Sequence, residues 1–199
     1  MMNELKVVIG AGGYNNNPGW LHTEEDELNL LKRSSWSEKF KKETISACVA
    51  EHVWEHLTYD EGFLAANLVR DYLRVGGHIR CAVPDGFFPN EEYQRMVQVG
   101  GPGPEDHPAF DHKIVYTYQT LKSLFEKAGY QVTLLEYFDE QGIFHKKEWS
   151  RADGVIFRSS QCDPRNQGDV PTFPSLIIDA TKIDTNDRGE TLHVEAGVT

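Results

Sequence analysis

Cysteine is scarce. Cys48, Cys81 and Cys162 stand far apart with no Cys-x-x-Cys pair, which argues against a disulfide scaffold and against a structural zinc ribbon. Long apolar runs are also missing. Nothing approaches the ~18–20 consecutive apolar residues of a membrane span, and the start MMNELKVVIG has no basic stretch leading into an apolar one. Positive charge is in deficit, with 20 Lys and Arg against 31 Asp and Glu and a net charge of −11. A broad nucleic-acid surface needs a basic face, so that partner is disfavoured. No repeat or low-complexity tract occurs. What is present is material for a core: 199 residues, 39% of them apolar. The expectation is one soluble, cytoplasmic domain with neither a nucleic acid nor a membrane as partner.

The β-branched run LKVVI at residues 5–9 stops at Gly10-Ala11-Gly12-Gly13, the pattern of a buried strand entering a glycine loop. Residues 14–20 are turn chemistry, and the acidic cluster 24–27 follows a short extended stretch. Residues 28–31 read as a short strand and residues 45–50 as a better one. Thr58-Tyr59-Asp60-Glu61 has the form of a capping box. A helix with Leu64, Leu68 and Tyr72 on one face then runs to Gly76-Gly77, and residues 78–83 form the next strand. A second helix is expected over 118–128, with Leu121, Leu124 and Phe125 inward, and strands over 130–138, 154–158 and 175–183. Between them, residues 87–112 are rich in Pro and Gly without a clear period, as in a lid or insertion. Residues 184–199 read as a polar tail and 1–183 as the domain.

Glycines at a strand end let a ligand approach the backbone, as in a nucleotide or adenosyl site. No Gly-Lys-Ser/Thr follows, so this is no phosphate loop, and Asn15 stands where a dinucleotide fingerprint needs its third glycine. A carboxylate of the acidic cluster would sit where a second strand ends, able to take both hydroxyls of a ribose; a solvated acidic loop is the plainer alternative. In Glu51-His52-Val53-Trp54-Glu55-His56, the spacing His52-x-x-Glu55-His56 is that of inverted zinc peptidases if helical. The cap at Thr58 starts the helix after both histidines, so the spacing assigns no metal. Tyr14, Trp20 and Trp54 are candidates for an aromatic cage.

Taken in order, VVIGAGG, Glu24, ACVAEHVWEHLT, RVGGHIRCAVPDG and FEKAGYQVTLLEYFDE resemble small bacterial class I S-adenosylmethionine-dependent methyltransferases. More narrowly, they resemble the predicted methyltransferases whose fourth strand ends in an EHxxEH run and whose fifth ends in AVPDG. The resemblance spans residues 5–183. It implies an α/β, Rossmann-like sheet, mostly parallel with an antiparallel last strand, and reduced helices between strands one, two and three. It also implies S-adenosylmethionine as cofactor. Gly10, Gly12 and Gly13 would line the cofactor loop and Glu24 would hold the ribose. Asn29 and Leu30 would flank adenine, and Glu51 and His52 would lie beside the methionine part and the transferred methyl.

The implied reaction is methyl transfer to a small-molecule or glycan acceptor, in which the protein mainly aligns the reactants. Where the acceptor must lose a proton, the candidate bases are His52, Asp85 and His112, with Asp111 able to orient a histidine. A homodimer would cover the sheet face left by the shortened connection between strands one and two. Two alternatives stand beside this reading. One is a methyltransferase-like protein that binds without catalysing; the other is a zinc hydrolase of the HxxEH type.

Overall fold

The structure, a computed structural model, describes residues 4–101 and 109–184. Among the described residues, seven strands make one sheet: β1 (Leu5–Ile9), β2 (Leu21–Thr23), β3 (Ile45–Glu51), β4 (Leu73–Val83), β5 (Tyr130–Phe138), β6 (Phe144–Lys146) and β7 (Leu176–Lys182). Their spatial order is β2-β1-β3-β4-β7-β5-β6. Strands β2, β1, β3 and β4 pair in parallel. β7 enters antiparallel between β4 and β5, and β6 closes the edge antiparallel to β5. The fold is the Rossmann-like α/β class that the sequence implies.

β3 lies in the interior of the sheet because its side chains suit burial on both faces. Cys48 and Ala50 pack into one apolar cluster with helix α2 (Tyr59–Tyr72) and helix α4 (Tyr118–Lys127), while Val49 enters a second cluster with Trp149 and Ile156 on the opposite face. That split is the two-residue alternation of a strand. Helix α2 starts at the expected cap: Thr58 Oγ1 accepts the Glu61 N–H, and Glu61 Oε2 accepts the Thr58 N–H at 2.8 Å. Helix α4 ends at Gly129, whose φ of +90° is costly for any residue with a Cβ.

Several local expectations are corrected. Helix α2 stops at Tyr72, before Gly76-Gly77, and both glycines lie within β4. Ile45 pairs with Leu73 but Ala47 pairs with His78, so the chain between them bulges out. A Cβ on Gly77 would lie 3.0 Å from three carbonyl oxygens, which is why glycine stands there. Residues 28–31 form turns instead of a strand, because Leu28 and Leu30 are drawn individually into the core. Residues 154–158 are likewise irregular. Helix α1 (Arg33–Lys39) gives little sequence signal, burying only Trp36. Helix α3 (Glu91–Val97), capped by Asn90, interrupts the segment read as one long loop. The polar tail lies, from residue 185, outside the described residues. Among the described residues, no helix is long and apolar enough to cross a membrane.

Candidate functional site

The register of β1 on β2 pairs Ile9 with Thr23, so the glycine loop and Glu24 leave the sheet side by side. Gly10, Gly12 and Gly13 have φ of +62°, +61° and +75°. A Cβ on Gly10 would sit 2.8 Å from Val53 Cγ2, so the loop rests directly against the segment that follows β3. The Ala11 N–H donates to Thr23 O, and the Gly13 N–H to Glu24 Oε1, both at 3.1 Å. Beyond Glu24 opens a cleft of about 620 Å³ lined by Glu24, Glu25, Asp26, Asn29, Lys32 and Ser35. Asn29 is fixed there by its own N–H to Ser35 Oγ and by its side-chain oxygen, which accepts the Leu31 N–H. Leu30 is not in the lining; its side chain is buried in the core. Between β1 and β2 the chain forms turns without a helix.

Glu51 ends β3 with its carboxylate clasping a loop, accepting the N–H groups of Phe157 (2.9 Å) and Arg158 (2.7 Å). His52 follows with φ +56°, a left-handed conformation that non-glycine residues adopt at a cost and that concentrates at functional sites. Its N–H donates to Ala82 O of β4. Its Nδ1 lies 2.9 Å from Glu55 Oε1 and its Nε2 3.1 Å from Ser175 Oγ. A carboxylate only accepts, so Nδ1 carries the proton and Nε2 is left to accept one from the Ser175 hydroxyl. Ser175 went unmarked in the sequence, being 123 residues from His52. Only the fold joins them.

The HxxEH spacing does not make a helical metal pair. His52 precedes a 3₁₀ turn (Trp54–His56) and faces Ser175, whereas His56 Nδ1 meets Asp111 Oδ1 at 2.8 Å. Trp54 belongs to no cage: it is fully buried, its ring 5.5 Å from Phe125, and its indole N–H bonds Gly62 O.

Asp85 and His112 are each held by partners other than His52. Asp85, fully buried, accepts the Phe87 N–H on one oxygen and the Phe138 N–H on the other, at 2.9 and 2.8 Å. This ties the end of β4 to β5 and leaves the carboxylate inaccessible to an acceptor. Burial raises its pKa from 3.8 to about 6, against the pull of those two amides. Between those values the folded chain holds a proton that the unfolded chain has released. Asp85 therefore lowers stability progressively as pH rises from 3.8 to about 6, by up to roughly 3 kcal/mol, with no further change above. Urea unfolding at pH 4 and pH 6.5 should show this decline in the parent and a smaller one in Asp85→Asn. Equal pH dependence in the two proteins would contradict it. His112 is buried, with Nδ1 2.9 Å from Val97 O and its ring set edge-on to His56.

No known protein family or curated protein matches the chain. Solved structures do. A SAM-dependent methyltransferase from Archaeoglobus fulgidus aligns with a TM-score of 0.52 at 13% identity, over 90% of this chain and 87% of its own. One from Thermotoga maritima, described as a possible histamine N-methyltransferase, gives 0.54 at 16%, over 92% and 84%. One from Methanosarcina mazei gives 0.50 at 11%, over 92% and 94%. At such identities the likeness establishes the fold, which is that of SAM-dependent methyltransferases.

Proposed function

We propose that this chain is an S-adenosylmethionine-dependent methyltransferase acting on a small-molecule or glycan acceptor. The observation that carries the reading is the pairing of the glycine loop with Glu24 at the parallel strand ends, Glu24 also lining the 620 Å³ cleft. One Glu24 oxygen is taken by Gly13, and the other is available to ribose hydroxyls. Gly10, Gly12 and Gly13, with no side chains, let the ligand approach the backbone, the Gly13 amide being held by Glu24, and Asn29 holds the adenine side. Bound there, the cofactor supplies a methyl on a sulfonium, ready for direct displacement. Glu51 acts through the 157–158 loop it clasps. His52 is the base for an acceptor that must lose a proton: Glu55 fixes its tautomer, and Nε2 receives the proton. Displacing the Ser175 hydroxyl from Nε2 is part of acceptor binding.

A ligand at a hundredfold excess over its dissociation constant adds ~2.7 kcal/mol, a rise of roughly 5–10 °C in melting temperature at this size. S-adenosylmethionine or S-adenosylhomocysteine should produce that rise and NAD should not. The reverse pattern would assign the wrong cofactor class. The helix-free connection from β1 to β2 favours one second reading, a protein that binds the cofactor without turnover. Release of labelled methyl to a panel of hydroxyl, amine and carboxyl acceptors, sugars included, separates the two.

A further inference from the structure

A second cluster lies beside His52 and shares its glutamate. A carboxylate oxygen of Glu55, a ring nitrogen of His56 and a ring nitrogen of His112 all lie within 4.8 Å of one another. Glu55 is 1% exposed. Its Oε1 is taken by His52, while its Oε2 is buried with no hydrogen-bond partner among the described residues. A buried carboxylate oxygen without a donor calls for a positive partner.

The two histidines are already set in the tautomer a metal requires. His56 Nδ1 faces Asp111 Oδ1 at 2.8 Å, and His112 Nδ1 faces Val97 O at 2.9 Å. Both partners only accept hydrogen bonds, so both Nδ1 atoms carry the proton and both Nε2 atoms present lone pairs. A metal-bound histidine is held in this way, its outer nitrogen donating to a carboxylate or a backbone carbonyl. Two imidazoles and one carboxylate suit a divalent transition ion such as zinc, and three protein ligands leave one position open.

We infer that Glu55, His56 and His112 bind one divalent transition-metal ion of the zinc type. Zn–N bonds of ~2.0–2.1 Å put tetrahedral ligand atoms roughly 3.4 Å apart, so the three side chains draw together when the ion enters. The open position points to an oxygen of the acceptor as the fourth ligand. That use rests on the methyl-transfer reading, whereas ion binding does not.

The test is calorimetric titration of the EDTA-treated full chain with Zn²⁺ alone, alongside visible spectra after Co²⁺ addition. One equivalent should bind, with the absorption of tetrahedral cobalt. Asp111→Ala, which removes only the group orienting His56, should weaken binding by about 10–100-fold. His56→Gln and His112→Gln should each weaken it by more. His145→Ala, a distant histidine paired with Asp139, should leave it unchanged. Far-ultraviolet circular dichroism of each metal-free variant establishes that the fold survives. Should His112→Gln fail to fold, His56→Gln and Asp111→Ala decide the matter. No saturable binding, or one equivalent indifferent to His56→Gln, would overturn the proposal. Because both probes are metal ions added without S-adenosylmethionine, failure here stays distinct from failure to bind that cofactor.

Discussion

Glu24→Ala should weaken S-adenosylhomocysteine binding by about ten- to a hundredfold or more, since a hydrogen bond to a charged group contributes ~1.5–3 kcal/mol. Glu24 is the acidic residue whose carboxylate meets the glycine loop, accepting the Gly13 N–H at 3.1 Å. Asp26 lines the same cleft and carries the same charge. Asp26→Ala is therefore a demanding control: it removes a comparable field without removing the contact at the strand end. Calorimetric titration of both variants decides the point. A larger loss in Asp26→Ala would move the ribose site two residues along the loop.

The second large effect concerns stability. Arg80 of β4 is 1% exposed, and each nitrogen of its guanidinium is hydrogen-bonded. Nε and Nη2 donate to the two oxygens of Asp179 on β7 at 2.8 and 2.7 Å, and Nη1 donates to Ser150 O and Gly154 O. The Trp149 ring lies 4.6 Å away across its face. Asp179 is half-buried but Arg80 is not reached by solvent, so removing the carboxylate strands a buried charge, a loss of about 3–5 kcal/mol. Asp179→Ala should thus lower the melting temperature by roughly 6–20 °C at this chain length. Replacing both residues by apolar ones of similar volume should recover only part of the loss, because it removes the stranded charge but also takes the Arg80 donor from Ser150 O and Gly154 O. A fall below roughly 2 °C in Asp179→Ala would show that water reaches Arg80 and supports it.

The sequence discloses the features that local physics decides. The β-branched run before Gly10, the alternation in residues 45–50 and the Thr58 capping box each specify an element without help from distant residues. The bulge at residues 74–77 is different. Two adjacent glycines after a helical pattern look like a helix end, and only the pairing of β4 with β3 shows that they relieve a crowded strand. Leu28 and Leu30 likewise resemble a strand until the core claims them one at a time.

In the candidate site, Glu24 and the glycines are legible because their roles depend on position relative to strand ends. Asp85 is a residue whose type suggests chemistry and whose surroundings give it architecture: two distant amides consume both oxygens. Besides Glu55, the groups that meet His52 and His56 are Ser175, Asp111 and His112, far along the chain. No spacing rule joins them. Glu55, which the HxxEH pattern reads as part of one helical motif, instead bonds His52 through Oε1 and lies beside both His56 and His112.

Native mass spectrometry of the full chain with S-adenosylhomocysteine and NAD in equal excess tests the central claim most directly. The account predicts a one-to-one complex with S-adenosylhomocysteine. That complex should be lost in Gly10→Val, whose side chain would meet Val53 at a positive φ. A chain that takes up NAD in preference, or a folded chain that takes up neither ligand, would contradict it.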